Sequence, residues 1–217
     1  MATTPLSRDA VLRTALRLID ERGLRGLTMR ALGGELGVEA MSLYRHVPGK
    51  AEVERGVVGL LIDELEASLD TVGRGADDWR ATLERFARAF RKLAVDHPNA
   101  FSLFAEQPTR GWSRARAGVE RSIGQLIAAG LDEAEAAVGM RTMIRYVIGF
   151  SLTEVVSRAD DRTASSAAEL VEEGFPLTAG VIEDIAQGSQ DDLFDAGLEL
   201  LLDGLASRLA NRGVAAR

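Results

Sequence analysis

The chain has 217 residues, of which 46% are hydrophobic, so it is longer than one average domain and apolar enough to bury a core. It contains no cysteine, which excludes disulfides, thiolate nucleophiles and thiol redox sensors. No apolar run reaches the roughly 18 residues that a membrane span needs, and the first five residues do not read as a signal peptide. We therefore expect a cytoplasmic protein with no membrane partner.

The net charge of −7 is divided unevenly along the chain. Residues 1–50 hold eight basic and five acidic side chains, a net charge of +3, whereas residues 51–217 hold eighteen and twenty-eight, a net charge of −10. A positive amino-terminal part attracts a polyanion such as DNA, while DNA phosphates repel the acidic remainder. The charge distribution therefore favours DNA contact by the amino-terminal part.

Three short helices are predicted in the first fifty residues. Ser7 is a good N-cap for a helix that runs to residue 22 and ends at Gly23. Thr28 caps a second helix from residue 29, and Gly37 can adopt the positive φ that closes it, so a third short helix restarts at once. Two helices joined by a tight glycine turn form a helix-turn-helix, whose second helix enters the major groove of DNA.

The predicted third helix has an inner and an outer face. Leu43 and Val47 lie four residues apart and pack on the preceding helices. Arg45 can bond guanine or phosphate, Ser42 can bond either, and Met41 can touch a thymine methyl group. Any short helix of a helical protein shows two faces, so the alternative is an interaction module that keeps this fold without binding specific DNA. A mobility shift on promoter DNA separates the two.

Helices are predicted along the rest of the chain, and no window alternates with period two for long enough to form a sheet. The predicted fold class is therefore all-α. A connecting helix over 50–70 contains Gly56 and Gly59, which should make it easy to bend. The glycines in 71–76 mark the likeliest domain boundary by composition. Further helices are predicted over 77–97, 101–104, 113–129, 132–156 and 193–205, with a loose segment at 159–166.

The first fifty residues also carry a family resemblance. Residues 7–52 resemble the DNA-binding domain of the TetR family of bacterial transcription regulators. The resemblance rests on Ala15-Leu16-Arg17-Leu18-Ile19, Gly23, Leu27-Thr28, Leu36-Gly37-Val38, Leu43-Tyr44, His46-Val47 and Lys50. It implies phosphate contacts by Thr28, Tyr44 and Lys50, and base reading or framing by Glu39, Ala40, Ser42, Arg45 and His46. Arg30 and Met41 complete the predicted DNA-binding set.

Two positions depart from the family pattern. Gly33-Gly34 stands where an alanine and a better helix former are usual, and each glycine should loosen the second helix by about 1 kcal/mol. Ala40 is too short to bond a base directly, so we expect base choice to depend on its neighbours.

The remainder of the chain resembles the ligand-binding domain of the tetracycline-repressor branch of that family. The matching residues are Asp78-Trp79-Arg80, His97-Pro98-Asn99-Ala100, Ala129-Gly130-Leu131, Tyr146-Val147-Ile148-Gly149-Phe150 and Phe194-Asp195-Ala196-Gly197-Leu198-Glu199. The resemblance implies a homodimer in which the long helix before the loose segment and the last helix form a four-helix bundle with their copies. We therefore predict a DNA-binding domain over 1–52 and a ligand-binding and dimerisation domain over 71–217.

A ligand pocket is predicted among the aromatic and methionine residues of the second domain. The candidates are Phe86, Phe90, His97, Phe101, Phe104, Trp112, Met140, Met143, Tyr146 and Phe150. Each of them could equally be plain core at helical spacing. Leu103 lies in the region of the family's metal-ligating histidine, and the chain has only two histidines, so we expect no metal and no other cofactor.

Catalysis is not expected from this sequence. Without cysteine, a nucleophile would be a serine or threonine served by one of two histidines, and neither histidine lies in a hydrolase-type motif. The predicted function is a homodimeric, ligand-responsive transcriptional regulator, expected to be a repressor. Its partners would be a palindromic double-stranded DNA operator and a small, largely apolar effector.

Overall fold

A computed structural model describes residues 6–70, 78–106, 116–159 and 167–215. These residues form helices joined by turns and contain no strand, which confirms the predicted all-α class. The helices are α1 Arg8–Gly26, α2 Met29–Glu35, α3 Ala40–Leu43, α4 Lys50–Asp70, α5 Trp79–Asp96, α6 Pro98–Glu106, α7 Arg116–Ala128, α8 Glu133–Ala159, α9 Ala167–Glu172, α10 Pro176–Gln187 and α11 Gln190–Ala215. None of them is long and apolar enough to cross a membrane.

Local signals set the starts of the first two helices, as predicted. The Ser7 hydroxyl accepts a hydrogen bond from Ala10 N at 3.1 Å, and the Thr28 hydroxyl accepts one from Ala31 N at 3.0 Å. Gly23, with φ 71°, interrupts α1, and one further turn follows before the helix ends. The inward face of α1 is buried and comprises Val11, Leu12, Ala15, Leu18 and Ile19.

The turn between α2 and α3 depends on two glycines. Gly37 has φ 67°, the left-handed conformation that glycine adopts without strain. Val38 N donates to Gly33 O at 2.9 Å, and a methyl group at Gly33 would lie only 2.8 Å from Val38 O. At Gly34 the same methyl group would meet nothing within 4 Å. The two adjacent glycines, given the same penalty above, therefore differ: Gly33 permits a close backbone approach and Gly34 does not.

We expect Gly34→Ala to raise the free energy of unfolding by about 1 kcal/mol, because alanine favours the helix at an open position. Gly33→Ala should gain less or destabilise, because its methyl group displaces the chain leading into α3. Urea unfolding of both variants measures the difference. Equal gains from both would contradict the assigned role of Gly33.

The recognition segment, residues 39–47, contains a shorter helix than predicted. α3 ends at Leu43, and a turn follows in which Val47 N donates to Leu43 O at 2.9 Å. Pro48 disfavours the helical conformation of Val47, so the turn does not continue as a helix beyond that residue. Leu43 and Val47 are both fully buried, as predicted, and anchor the segment to the underlying helices.

The connecting helix α4 packs against α1, α5 and α6. Gly56 is buried where α1 crosses it, and a methyl group there would lie 2.7 Å from Cδ1 of Leu12, which is itself 4% exposed. Gly56 therefore lets the two helices approach closely. The expectation that Gly56 makes α4 easy to bend stays a prediction.

The chain forms two compact units, Met1–Gln125 and Leu126–Arg217. In the first, α1 contacts α2, α4 and α6. In the second, α8 contacts α11, and α9 contacts α10. The boundary predicted over 71–76 lies outside the described residues, as does most of the predicted loose segment.

The sequence analysis assigned no helix to the residues of α9 and α10. Large apolar side chains of these helices and of the turn between them are exposed rather than buried: Val171 by 54%, Phe175 by 55%, Leu177 by 87% and Val181 by 57%. Because few of these side chains form a buried stripe, the periodicity that reveals other helices is weak here.

Candidate nucleic-acid interface

The structure places the predicted DNA-binding residues on or near the surface of the first unit. They lie at the start of α2, in the recognition segment and at the start of α4. Met41 is 73% exposed and Tyr44 45%. Exposed members of the set are Thr28, Arg30, Glu39, Met41, Tyr44, Arg45 and Lys50, and half-buried members are Ala40, Ser42 and His46. This surface is available to a partner, while Leu43 and Val47 fix it from below.

Arg30 and Arg45 supply positive charge to this surface. Within the described parts of the chain, neither guanidinium forms a hydrogen bond or an ion pair with another residue. An exposed arginine in this position can present its full fork of donors to a phosphate or a guanine edge. The two side chains are therefore suited to contact nucleic acid.

Thr28 and Lys50 have partners within the chain. The Thr28 hydroxyl accepts the cap hydrogen bond of α2, which leaves its proton for a phosphate oxygen. Lys50 Nζ donates to Leu24 O at 3.4 Å and lies 3.7 Å from Glu54 Oε1. Both internal contacts are long, so the ammonium group can also face a phosphate.

Charged side chains also join α1 to α2 and α4. Glu52 of α4 accepts a hydrogen bond from Arg8 at 2.9 Å and another from Arg55 at 2.6 Å. Hydrogen bonds from Arg55 and Arg8 hold the pKa of the Glu52 carboxyl below its ordinary value. Glu35 at the end of α2 pairs with Arg22 of α1 at 2.5 Å. The sequence analysis missed the bonds from Arg8 to Glu52 and from Arg22 to Glu35, because their partners come from different helices.

The predicted pocket residues fall into two groups, one in each unit. In the first unit, Phe90 lies 5.7 Å from Phe86, 5.3 Å from Phe101 and 5.2 Å from Phe104 between ring centroids. Phe90 and Phe101 are buried, whereas Phe86 and Phe104 are half-buried. The half-buried rings are the members of this cluster that retain surface for a ligand.

The second group lies along α8. Met140 and Met143 are buried, and Tyr146 and Phe150 each contact Phe194 of α11 at ring-centroid distances of 5.4 Å and 5.2 Å. The Tyr146 hydroxyl donates to Phe194 O at 2.7 Å, which fixes the ring against α11. Trp112 lies outside the described residues.

Close contact between Tyr146 and α11 depends on Gly197. A methyl group there would lie 2.9 Å from Cζ of Tyr146, so only glycine leaves room for the ring. Tyr146, Gly197 and Phe194 all belong to the motifs that carry the carboxy-terminal resemblance. Two of those motifs therefore meet in one contact between α8 and α11.

The buried face of α8 also carries polar residues that the sequence analysis missed. Ser151 is 1% exposed and Glu154 4%, and they continue the buried series of Met140, Met143 and Val147. The spacing of three to four residues was visible in the sequence, but a polar side chain does not contribute to an apolar stripe.

His97 lies apart from the aromatic cluster. Both of its ring nitrogens face carboxylates, Asp20 of α1 and Glu64 of α4. Among the described residues, no group of three or more histidine, aspartate or glutamate side chains is arranged to hold a metal ion.

Comparison with known proteins places both parts of the chain. Residues 11–53 match the family described as "Bacterial regulatory proteins, tetR family", and residues 73–209 match "Tetracyclin repressor-like, C-terminal domain".

The relatives include the "HTH-type transcriptional repressor DrrR1" of Streptomyces coeruleorubidus, which is 32% identical over 95% of this chain and 80% of its own. The "Tetracycline repressor protein class A from transposon 1721" of Escherichia coli is 31% identical over 94% of this chain and 93% of its own. A crystal structure of a possible TetR family transcriptional regulator from Streptomyces coelicolor A3(2) has a TM-score of 0.77, with 27% identity over 93% of this chain and 99% of its own.

Proposed function

The chain belongs to the TetR family of bacterial transcription regulators, and we propose that it is a ligand-responsive repressor that binds its DNA operator as a homodimer. A small, largely apolar effector releases the operator. The protein acts in the cytoplasm, where bacterial DNA lies, and regulates transcription rather than catalysing a reaction.

One observation carries this proposal: the recognition segment is exposed on its outer side and anchored on its inner side. Met41, Tyr44 and Arg45 face solvent, while Leu43 and Val47 are fully buried. A short helix held in this way at the surface of a three-helix unit fits the major groove. Arg30 and Arg45 add charge that attracts phosphates to the same surface.

The dimer is proposed to form through α8 and α11. Val138 of α8 is 63% exposed and Leu200 of α11 is 76% exposed, and both line a groove of about 400 Å³ between the two helices. Gly204 lines the same groove and has open space at the position of a Cβ, so it leaves room for a second pair of helices to approach closely. Ile144 and Val147 of α8 are buried within the subunit.

The effector is proposed to contact the half-buried aromatic residues of the first unit, Phe86 and Phe104. We call the three helices α1–α3 of one subunit a reading head. For the operator to be released, the effector must favour an arrangement of the two reading heads that fits DNA poorly, with a coupling free energy of about 1–3 kcal/mol.

Selection of bound fragments from randomised DNA tests the proposal. We expect the purified protein to enrich a palindrome whose half-sites lie one helical turn or more apart. A small-molecule library added to the selected operator should contain compounds that release it. Enrichment of no sequence over random DNA would overturn the proposal.

Lys50→Gln should weaken binding of the selected operator evenly across sequence variants, because a phosphate contact carries no sequence information. The slope of log K against log salt should fall by about one, since one phosphate contact is lost. Fluorescence anisotropy titrations at several salt concentrations measure both quantities. The matched control is Lys92→Gln on α5, whose ammonium pairs with Asp96 at 2.6 Å. An unchanged slope for Lys50→Gln would argue against a phosphate contact there.

A further inference from the structure

His97 joins three helices of the first unit. It follows the last residue of α5 and precedes α6, its Nδ1 lies 2.7 Å from Oδ2 of Asp20 on α1, and its Nε2 lies 3.3 Å from Oε2 of Glu64 on α4. The residue pairs are separated by 77 and 33 positions in the sequence. A single imidazole thus ties the reading head to the connecting helix.

Only the protonated ring satisfies both contacts. Imidazolium has two N–H donors, whereas neutral imidazole has one, so the neutral ring points a lone pair at one of the two carboxylates. Loss of the proton therefore leaves either Asp20 or the exposed Glu64 facing a lone pair. Asp20 has little other support, because its Oδ1 is inaccessible to water and accepts no hydrogen bond from the described residues.

A partly enclosed cleft of about 600 Å³ between α1 and α4 contains this site. The His97 side chain is 18% exposed, Asp20 26% and Glu64 48%. From α1 the same cleft is lined by Asp9, Arg13, Arg17 and Glu21, and from α4 by Asp63. Arg13 pairs with Asp9 at 2.8 Å, and Arg17 lies near Glu21 and Glu35.

The polar residues on either side of His97 in the sequence have partners of their own. Asp96 at the end of α5 pairs with Lys92, and Asn99 of α6 donates to Asp20 O at 2.9 Å. Asn99 ties α6 to α1 without titrating. The direct hydrogen-bonding partners of the imidazole are therefore two carboxylates, with the two arginines of the cleft engaged by other acids.

We propose that His97 is a proton-operated clasp, meaning that its contacts with Asp20 and Glu64 hold α1 to α4 when the ring is protonated and weaken when the ring loses its proton. Operator binding is thereby sensitive to pH. The clasp closes α1 onto α4 and the start of α6. Its effect on the operator rests on the function proposed above, whereas its effect on stability does not.

The electrostatics give the direction of the pH dependence. Burial alone would lower the pKa of His97, but the hydrogen bond and charge of Asp20, together with Glu64, raise it above its ordinary value. For Asp20, burial raises the pKa and outweighs the opposing hydrogen bond and charge of His97. A histidine whose pKa is raised by folding contributes stability that is fully present below its unfolded pKa of about 6.5 and is lost as pH rises through the folded value.

Proton NMR of the ring protons tests the clasp directly. The chain has only two histidines, and His46→Gln assigns their signals. We expect His97 to titrate above the ordinary range in the unaltered protein and closer to that range in Asp20→Asn. Identical titration of His97 in the two proteins would overturn the proposal.

Urea unfolding at pH 6 and pH 9 tests its contribution to stability. His97→Gln should raise the unfolding equilibrium constant more at pH 6 than at pH 9. The factor should fall about tenfold for each pH unit by which folding raises the pKa of His97. Asn99→Ala is the matched control and should destabilise equally at both. Equal destabilisation by His97→Gln at both pH values would overturn the clasp. If His97→Gln does not fold, Glu64→Gln takes its place. Its destabilisation should also be greater at pH 6 than at pH 9, but by a smaller factor.

Operator titrations over the same pH range test the regulatory effect. We expect the operator Kd of the unaltered protein to change with pH at least threefold more than that of His97→Gln. Matching pH profiles would overturn the regulatory part of the proposal. Absence of operator binding by both proteins at every pH would count against the proposed function, while NMR and unfolding would still decide the clasp.

Discussion

Arg45→Ala is expected to weaken operator binding by about 1–3 kcal/mol, or roughly 5- to 150-fold, because a base-reading arginine of the recognition segment loses its donors. Tyr44→Ala should have an effect of similar order, since its ring is 45% exposed beside the buried Leu43. Neither side chain is buried, so both variants should keep the unfolding transition of the unaltered protein. Anisotropy titrations with the selected operator measure the affinities.

The control for this pair is Arg121→Ala on α7, which removes an exposed arginine far along the chain from the recognition segment. It should leave the operator affinity unchanged. If both Tyr44→Ala and Arg45→Ala stay within twofold of the unaltered protein, the face assigned to DNA is wrong.

The double substitution Val138→Glu with Leu200→Glu is expected to abolish the dimer and reduce operator affinity by more than about a hundredfold. In a twofold interface each substitution occurs twice, so four carboxylates would be brought together and desolvated where two exposed apolar side chains of each subunit now lie. A monomer engages one half-site and loses the gain from simultaneous binding of both. Sedimentation equilibrium gives the mass, and anisotropy gives the affinity.

Val171→Glu on α9 is the matched control, because Val171 is exposed to a similar extent, 54%, but lies outside the α8–α11 groove. It should leave the α8–α11 dimer intact. A double variant that remains dimeric would place the subunit interface elsewhere on the molecule.

Features set by neighbouring residues were predictable from the sequence. Ser7 and Thr28 cap their helices because a hydroxyl reaches a backbone N–H three residues on, and Gly37 closes a helix because it accepts a positive φ. Burial of Leu43 and Val47 followed from their spacing. The residues of the candidate DNA interface come from the same local motifs, and their contacts with DNA stay a prediction.

Features set by distant residues were not predictable in this way. The Leu12 side chain leaves no room for a Cβ at Gly56, and the backbone of the following turn leaves little room for one at Gly33. His97 was placed with the pocket candidates because only the folded chain brings Asp20 and Glu64 to its ring. Each of these contacts depends on how whole helices pack.

The effector pocket illustrates a different difficulty. Phe90 and Phe101 are buried in contact with each other, and the same helical spacing that fills a core would also line a cavity. Periodicity reports which side of a helix is apolar but gives no information about whether a small molecule or another side chain fills the space. The pocket residues therefore stay a prediction.

The carboxylate of Glu52, held between Arg8 and Arg55, has a consequence for titrations at different ionic strengths. Added electrolyte screens such partly exposed pairs as well as attraction to phosphates. Part of the salt dependence of operator affinity should therefore come from weakening of the Glu52 ion pairs in the free protein, which loosens α1 from α4. The Glu52→Gln variant would show how much of the salt dependence these ion pairs contribute.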